Sequence, residues 1–154
     1  MVGFYHITEK IKEIAEANTA INVITEGDIF EVDLNKQTIF PLLHIITNSA
    51  TIGERTTVMD FTLLCMDIVD TSNEDLRDTL EPFFKTSNEQ DVLNSTLNYL
   101  NNMVAEFRRG DAYDALYKLA SDPTATPFRE RFENLLAGWS LEFSVEVPNE
   151  QPIC

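Results

Sequence analysis

Between Trp139 and Val147 apolar and polar residues alternate without a break. Trp139, Leu141, Phe143, Val145 and Val147 fall on one face; Ser140, Glu142, Ser144 and Glu146 fall on the other. A period of two is the mark of a half-buried β-strand. Its apolar face demands a covering layer, and its polar face is left to solvent or to a partner. The chain must therefore supply further strands to flank this one and something apolar to cover it.

Two other runs supply the strands. Ile39 to Thr47 is apolar nearly throughout, with Pro41 suited to a strand start or an edge because it has no N–H. Asn48 to Glu54 reads as a turn, and Arg55 to Val69 as a long strand. In that strand Met59, Phe61, Leu63 and Cys65 oppose Val58, Asp60, Thr62, Leu64 and Met66. The alternation is clean in its first half, and the second half reads as buried on both faces. Ile39–Thr47 and Thr56–Val69 thus form a long antiparallel hairpin.

The cover comes from two amphipathic helices. Phe4, Ile7, Ile11, Ile14 and Ala15 recur at helical spacing, with Lys10, Lys12, Glu13 and Glu16 opposite, in a helix ending near Asn18. Ser87 and Gln90 have the spacing of a capping box. Leu93, Leu97, Leu100, Val104 and Phe107 then continue one stripe, Arg108 and Arg109 suit the negative end of the helix dipole, and Gly110 can stop the helix.

Shorter elements fill the remainder. Ile21 to Thr25 reads as a strand, Glu26 to Asp28 as a turn, and Phe30 with Val32 as an edge strand. Asp70 to Asn88 is a long loop or flap, the length at which loops are often functional. Ala112 to Ala120 fits strand and helix equally. Ser121 to Thr124 is a turn, a strand begins at Phe128, and residues 148–154 form an irregular tail. The order lacks βαβ alternation. The expected fold is a single α+β domain over residues 1–154, a mostly antiparallel sheet with a long hairpin packed by two amphipathic helices.

Charge narrows the function. Eleven basic residues against 26 acidic ones give a net charge of −15. A DNA-binding surface needs clustered Lys and Arg to displace counterions, and anionic membranes need the same. The acidity suits either solubility or a wall facing a polyanion or a basic partner. No apolar run is long enough to span a membrane, and the first residues lack the apolar stretch of a signal peptide. Cys65 lies in an apolar run and Cys154 at the chain's end, so a disulfide is not expected.

The search for chemistry is mostly negative. His6 and His44 have no Cys or His at ligand spacing, and Asp28, Glu31 and Asp33 do not follow a calcium-loop pattern. No metal or cofactor is expected. No phosphate-binding glycine motif and no GxSxG occurs. Cys65 and His44 can neighbour each other across the hairpin, though a buried packing pair is the simpler reading. Asp67 and Asp70 can form a like-charged pair or a solvated strand end. Arg129 and Arg131, interleaved with Glu130 and Glu133, can form an intersubunit ladder or an exposed face. Arg108 and Arg109 can likewise bridge to a neighbour. An enzyme is not expected.

The segments NEQDVLNSTLNYLN, RRGDAYDALY and FRERFENLLAGWSLEFSVEVPNEQPIC resemble a family of small virion proteins of tailed phages, many from Bacteroidetes-type hosts. EVDLNKQTIFPLLHIITNSATI and MDIVD resemble the family's middle region. The likeness covers about Gly27 to Cys154. Size and element order are similar to tail-terminator and tail-completion proteins, which form rings at the head–tail junction. The resemblance implies a homo-oligomeric neck or tail ring in the virion, made in the host cytoplasm. It would contact neighbouring connector or tail proteins, and DNA would pass through without specific binding. Glu142 and Glu146 would then be able to face the lumen. The alternative is an acidic soluble adaptor or inhibitor of a basic protein.

Overall fold

A computed structural model describes residues 4–27, 40–69, 89–109, 117–131 and 136–149, with the backbone alone at Glu89 and at residues 129–131. The elements are α1 (Phe4–Glu16), β1 (Val23–Glu26), β2 (Leu42–Ile52), β3 (Thr56–Ile68), α2 (Glu89–Arg109), β4 (Lys118–Leu119), β5 (Thr124–Arg131) and β6 (Leu136–Pro148). The strands form one sheet in the order β1-β2-β3-β6-β4, with β5 also on β6. All pairings are antiparallel except β1 with β2. The α+β architecture and the long hairpin match the sequence expectation.

The centre of the sheet is β3 against β6, paired from Thr56 with Pro148 to Ile68 with Leu136 without a register shift. At Gly138 the neighbouring backbone comes close enough to exclude a side chain. A β-carbon there would lie 1.9 Å from the Cys65 carbonyl oxygen. Glycine is thus the residue that lets β6 lie flat against β3 at this point.

Both helices cover one face. Ile7, Ile11 and Ala15 of α1 and Leu100, Met103 and Phe107 of α2 bury against Leu43, Ile45, Phe61, Leu63, Phe143 and Val145. Phe143 lies between rings of two elements, 5.6 Å from Phe61 and 5.6 Å from Phe107. Trp139 donates Nε1–H to the Leu93 carbonyl at 2.8 Å and so ties β6 to the first turns of α2. The opposite face is divided. One half buries a smaller cluster of Phe40, Leu42, Met66, Phe128 and Leu136; the other half is polar.

Several sequence expectations need correction. β2 does not turn at Asn48 but runs on to Ile52, so the turn shrinks to residues 53–55. The polar residues there bond across the strands instead of to their own backbone: Asn48 Nδ2 to Thr62 Oγ1 at 2.7 Å, and Ser49 Oγ to Asp60 at 2.7 Å. The hairpin absorbs Asn48 as a bulge between Thr47 and Ser49. β5 starts at Thr124 rather than Phe128, because β6 is long enough to offer Glu142 as a partner for Thr124. α1 ends at Glu16, in keeping with the expected end near Asn18. Pro148 closes β6 instead of opening the tail, and Asn149 bonds the Gly53 carbonyl and Thr57. The alternation of β3 persists to Cys65, with both faces buried only at Cys65–Met66. In α2 the expected stripe is buried at Leu93, Leu100 and Phe107 and extends to Val92, Thr96 and Met103, while Leu97 is 37% exposed. Thr96 bears its burial by donating to the Val92 carbonyl at 2.7 Å. The flap, the capping-box serine, the Phe30–Val32 strand and residues 150–154 lie outside the described residues.

Candidate functional site

Successive strand residues point to opposite faces, so register alone decides which side chains meet. Glu142 pairs with Thr62 on one side and Thr124 on the other; Glu146 pairs with Val58 and Lys118. Both glutamates stand on the face away from the helices, Glu142 exposed and Glu146 half-buried. Four residues apart on one strand, they are separated by about 13 Å. Between them Ser144 pairs with Asp60. The result is a row of three carboxylates running along the polar half of the sheet.

Asp60 is held within that row. Ser49 from β2 donates to one oxygen at 2.7 Å, and Ser144 from β6 donates to the other. These bonds, that from Ser144 first, stabilise the charged form and hold the carboxyl below its ordinary value of 3.8. The stabilisation is present above pH 3.8 and is lost as pH falls through the lowered value. Asp60 thus keeps the wall negative while stitching three strands together. Sequence alternation places Asp60 on the polar face, but its clamp depends on the bulge that brings Ser49 opposite it.

The hairpin separates Cys65 from His44. Cys65 pairs with Leu43, whereas His44 pairs with Leu64, so the two side chains lie on opposite faces. The conceivable Cys–His pair does not exist. Cys65 is fully buried, and burial pushes its thiol up to about 12, with the Asp67 charge adding to the shift. His44 is equally buried, with Nδ1 2.6 Å from Thr25 Oγ1 and Nε2 2.9 Å from the Gly27 carbonyl. A carbonyl only accepts, so Nε2 carries a proton, and the ring holds β1 and its turn against β2.

The other candidates are scattered. Burial raises the Asp67 carboxyl, offset in part by the Ile68 N–H at 2.8 Å, while Asp70 lies outside the described residues. Arg108 pairs within the chain, at 3.0 Å from Asp122, and Arg109 is exposed on the last turn of α2. Arg131 pairs through its backbone with Leu136; the side chains of Arg129 and Arg131 lie outside the description. His6 is exposed, its ring edge-on to Tyr5. Between α1 and α2 lies an open groove of about 430 Å³ bordered by Lys10, Glu13, Tyr99 and Glu106, which the sequence did not single out. Among the described residues, no cluster of His, Cys, Asp and Glu is arranged to hold a metal ion, and no helix is long and apolar enough to cross a membrane.

No protein-family model matches the chain, and no curated protein is significantly similar to it.

Proposed function

We propose that the chain is a structural subunit of a tailed-phage virion, a tail-terminator- or tail-completion-like protein. In this reading its copies form a ring at the head–tail junction or tail through which DNA passes. The observation that carries the reading beyond the resemblance of its segments is the one-sided sheet. Both helices pack on one face, and the other face bears Glu142, Asp60 and Glu146 in a row. A ring built with the helices outward turns that row toward the channel. Phosphates passing such a wall are repelled rather than captured, which suits passage without binding.

The remaining features fit the same reading. Rings require heterologous contacts that close. Arg108 can exchange its exposed Asp122 for a neighbour's carboxylate at little cost, since exposed pairs contribute under about 1 kcal/mol. Arg109, Arg129 and Arg131 are offered as further contacts to a neighbouring copy or to connector and tail proteins. The ring reading gives the chain no reaction and no cofactor.

Location tests the proposal directly. Gold-labelled antibody raised against the chain should decorate the neck or tail of virions from cells producing it. Its appearance only in the soluble lysate, bound one-to-one to a basic protein in a salt-sensitive complex, would establish the adaptor reading instead.

A further inference from the structure

β1 covers β2 only from Leu42 to Ile45. Among the described residues no strand pairs with the outer side of Ile46–Ile52, and Thr47 to Ile52 are exposed. An exposed, uncharged strand edge is a template for pairing. This one has no Lys, no Pro and no charge, and among the described residues its guard is the bulge at Thr47–Ser49. Its end also carries unusual apolar exposure. Ile52 is 78% exposed. Lys12 reaches Glu26 at 3.1 Å and the Asn18–Ile21 turn leads straight into β1, so α1 runs antiparallel to β1. Its first turn, with Phe4 44% and Tyr5 70% exposed, therefore extends toward the same end.

The opposite edge of the sheet is shared by β4 and β5, and the outer side of β5 is also unpaired among the described residues. Thr124 to Phe128 is uncharged as well, with Thr124, Thr126 and Pro127 exposed. In a chain of net charge −15, copies repel over most of their surface. The two sheet edges are where copies can meet without placing carboxylate against carboxylate.

We propose that Ile46–Ile52 of β2 pairs with β5 of a second copy, joining the sheets edge to edge. This rests on the ring reading and names the contact that builds it. Direction favours the joint. β2, β3, β6 and β5 alternate, so a copy turned about an axis from which the strands are tilted by less than a right angle brings its β5 antiparallel to β2. Length favours it too, a seven-residue segment meeting an eight-residue strand. Pro127 removes at most one ladder bond. The register also has the required slip. Within one copy Thr124 lies level with Ile46, and Phe128 with Leu42, through Glu142–Thr62 and Gly138–Met66. Side chains paired across the joint share a face, so the slip is an even number of residues; a slip of about four sets Thr124 opposite Thr51 of the neighbour and displaces each copy along the strands by roughly 13 Å. Such a stagger is what tilted strands need to close on themselves.

Cross-linking tests it in a Cys154→Ser background. With Thr51→Cys and Thr124→Cys together, which share the acidic face and are both exposed, a short bismaleimide should yield a ladder of multimers ending in a closed species, while neither cysteine alone should cross-link. A second variant, Thr47→Lys with Ile52→Lys, alters exposed positions only and should abolish assembly with an unchanged circular dichroism spectrum. High-yield dimers from Thr51→Cys alone would overturn the joint in favour of β2 pairing with itself. Rings whose Thr51→Cys and Thr124→Cys thiols never cross-link would overturn the joint and leave the ring reading standing. A chain monomeric at every concentration would overturn both.

Discussion

Two aspartates on β3 show how placement alone sets opposite behaviour. Asp60 faces outward and receives two hydroxyl protons, which lowers its carboxyl. Asp67 lies under the edge of the helix layer, where loss of water raises it above the ordinary 3.8. A raised carboxyl means that the folded state binds the proton more tightly. Asp67 therefore costs stability at pH 7, and the cost fades as pH falls through its raised value toward 3.8. Asp67→Asn should melt higher than the parent at pH 7, with the gap closing near pH 4. A variant that melts lower at neutral pH would mean that the Ile68 N–H bond outweighs desolvation.

Elements were legible in the sequence to the extent that one face of each was fully committed. β6 follows its alternation from Trp139 to Val147, because every inward residue meets the helices or the core between them. β3 does the same up to Cys65. α2 was visible as a helix with Leu93, Leu100 and Phe107 inward, but Thr96 rather than Leu97 completes its buried face. Thr96 can be buried by bonding its own helix, and Trp139 draws the Leu93 end toward β6. That tie is testable. Trp139→Phe keeps most of the apolar contact and removes one hydrogen bond, so it should cost about 1 kcal/mol in urea unfolding. No loss would show that the bond does not fix the helix. The far half of β2 was missed because Thr47-Asn48-Ser49 has turn chemistry, and only the register with Asp60 and Thr62 converts it to strand. The parallel docking of β1 carries no local signal; His44, reaching Thr25 and Gly27, holds it there. Of the candidate site, the two glutamates were readable from alternation, whereas the Asp60 clamp and the groove between helices depend on contacts distant in sequence.

The whole molecule combines features that suit assembly rather than solitary work. One face of its sheet carries all the described helices, the other holds an acidic row, and its two edges are unpaired among the described residues. Its acidity makes any contact between copies depend on where charge is missing. Native mass spectrometry of the purified protein, with negative-stain images of the same sample, tests the ring most directly. The account predicts a closed oligomer at an integer multiple of 17.5 kDa with a central hole. A single 17.5 kDa species at all concentrations would contradict it.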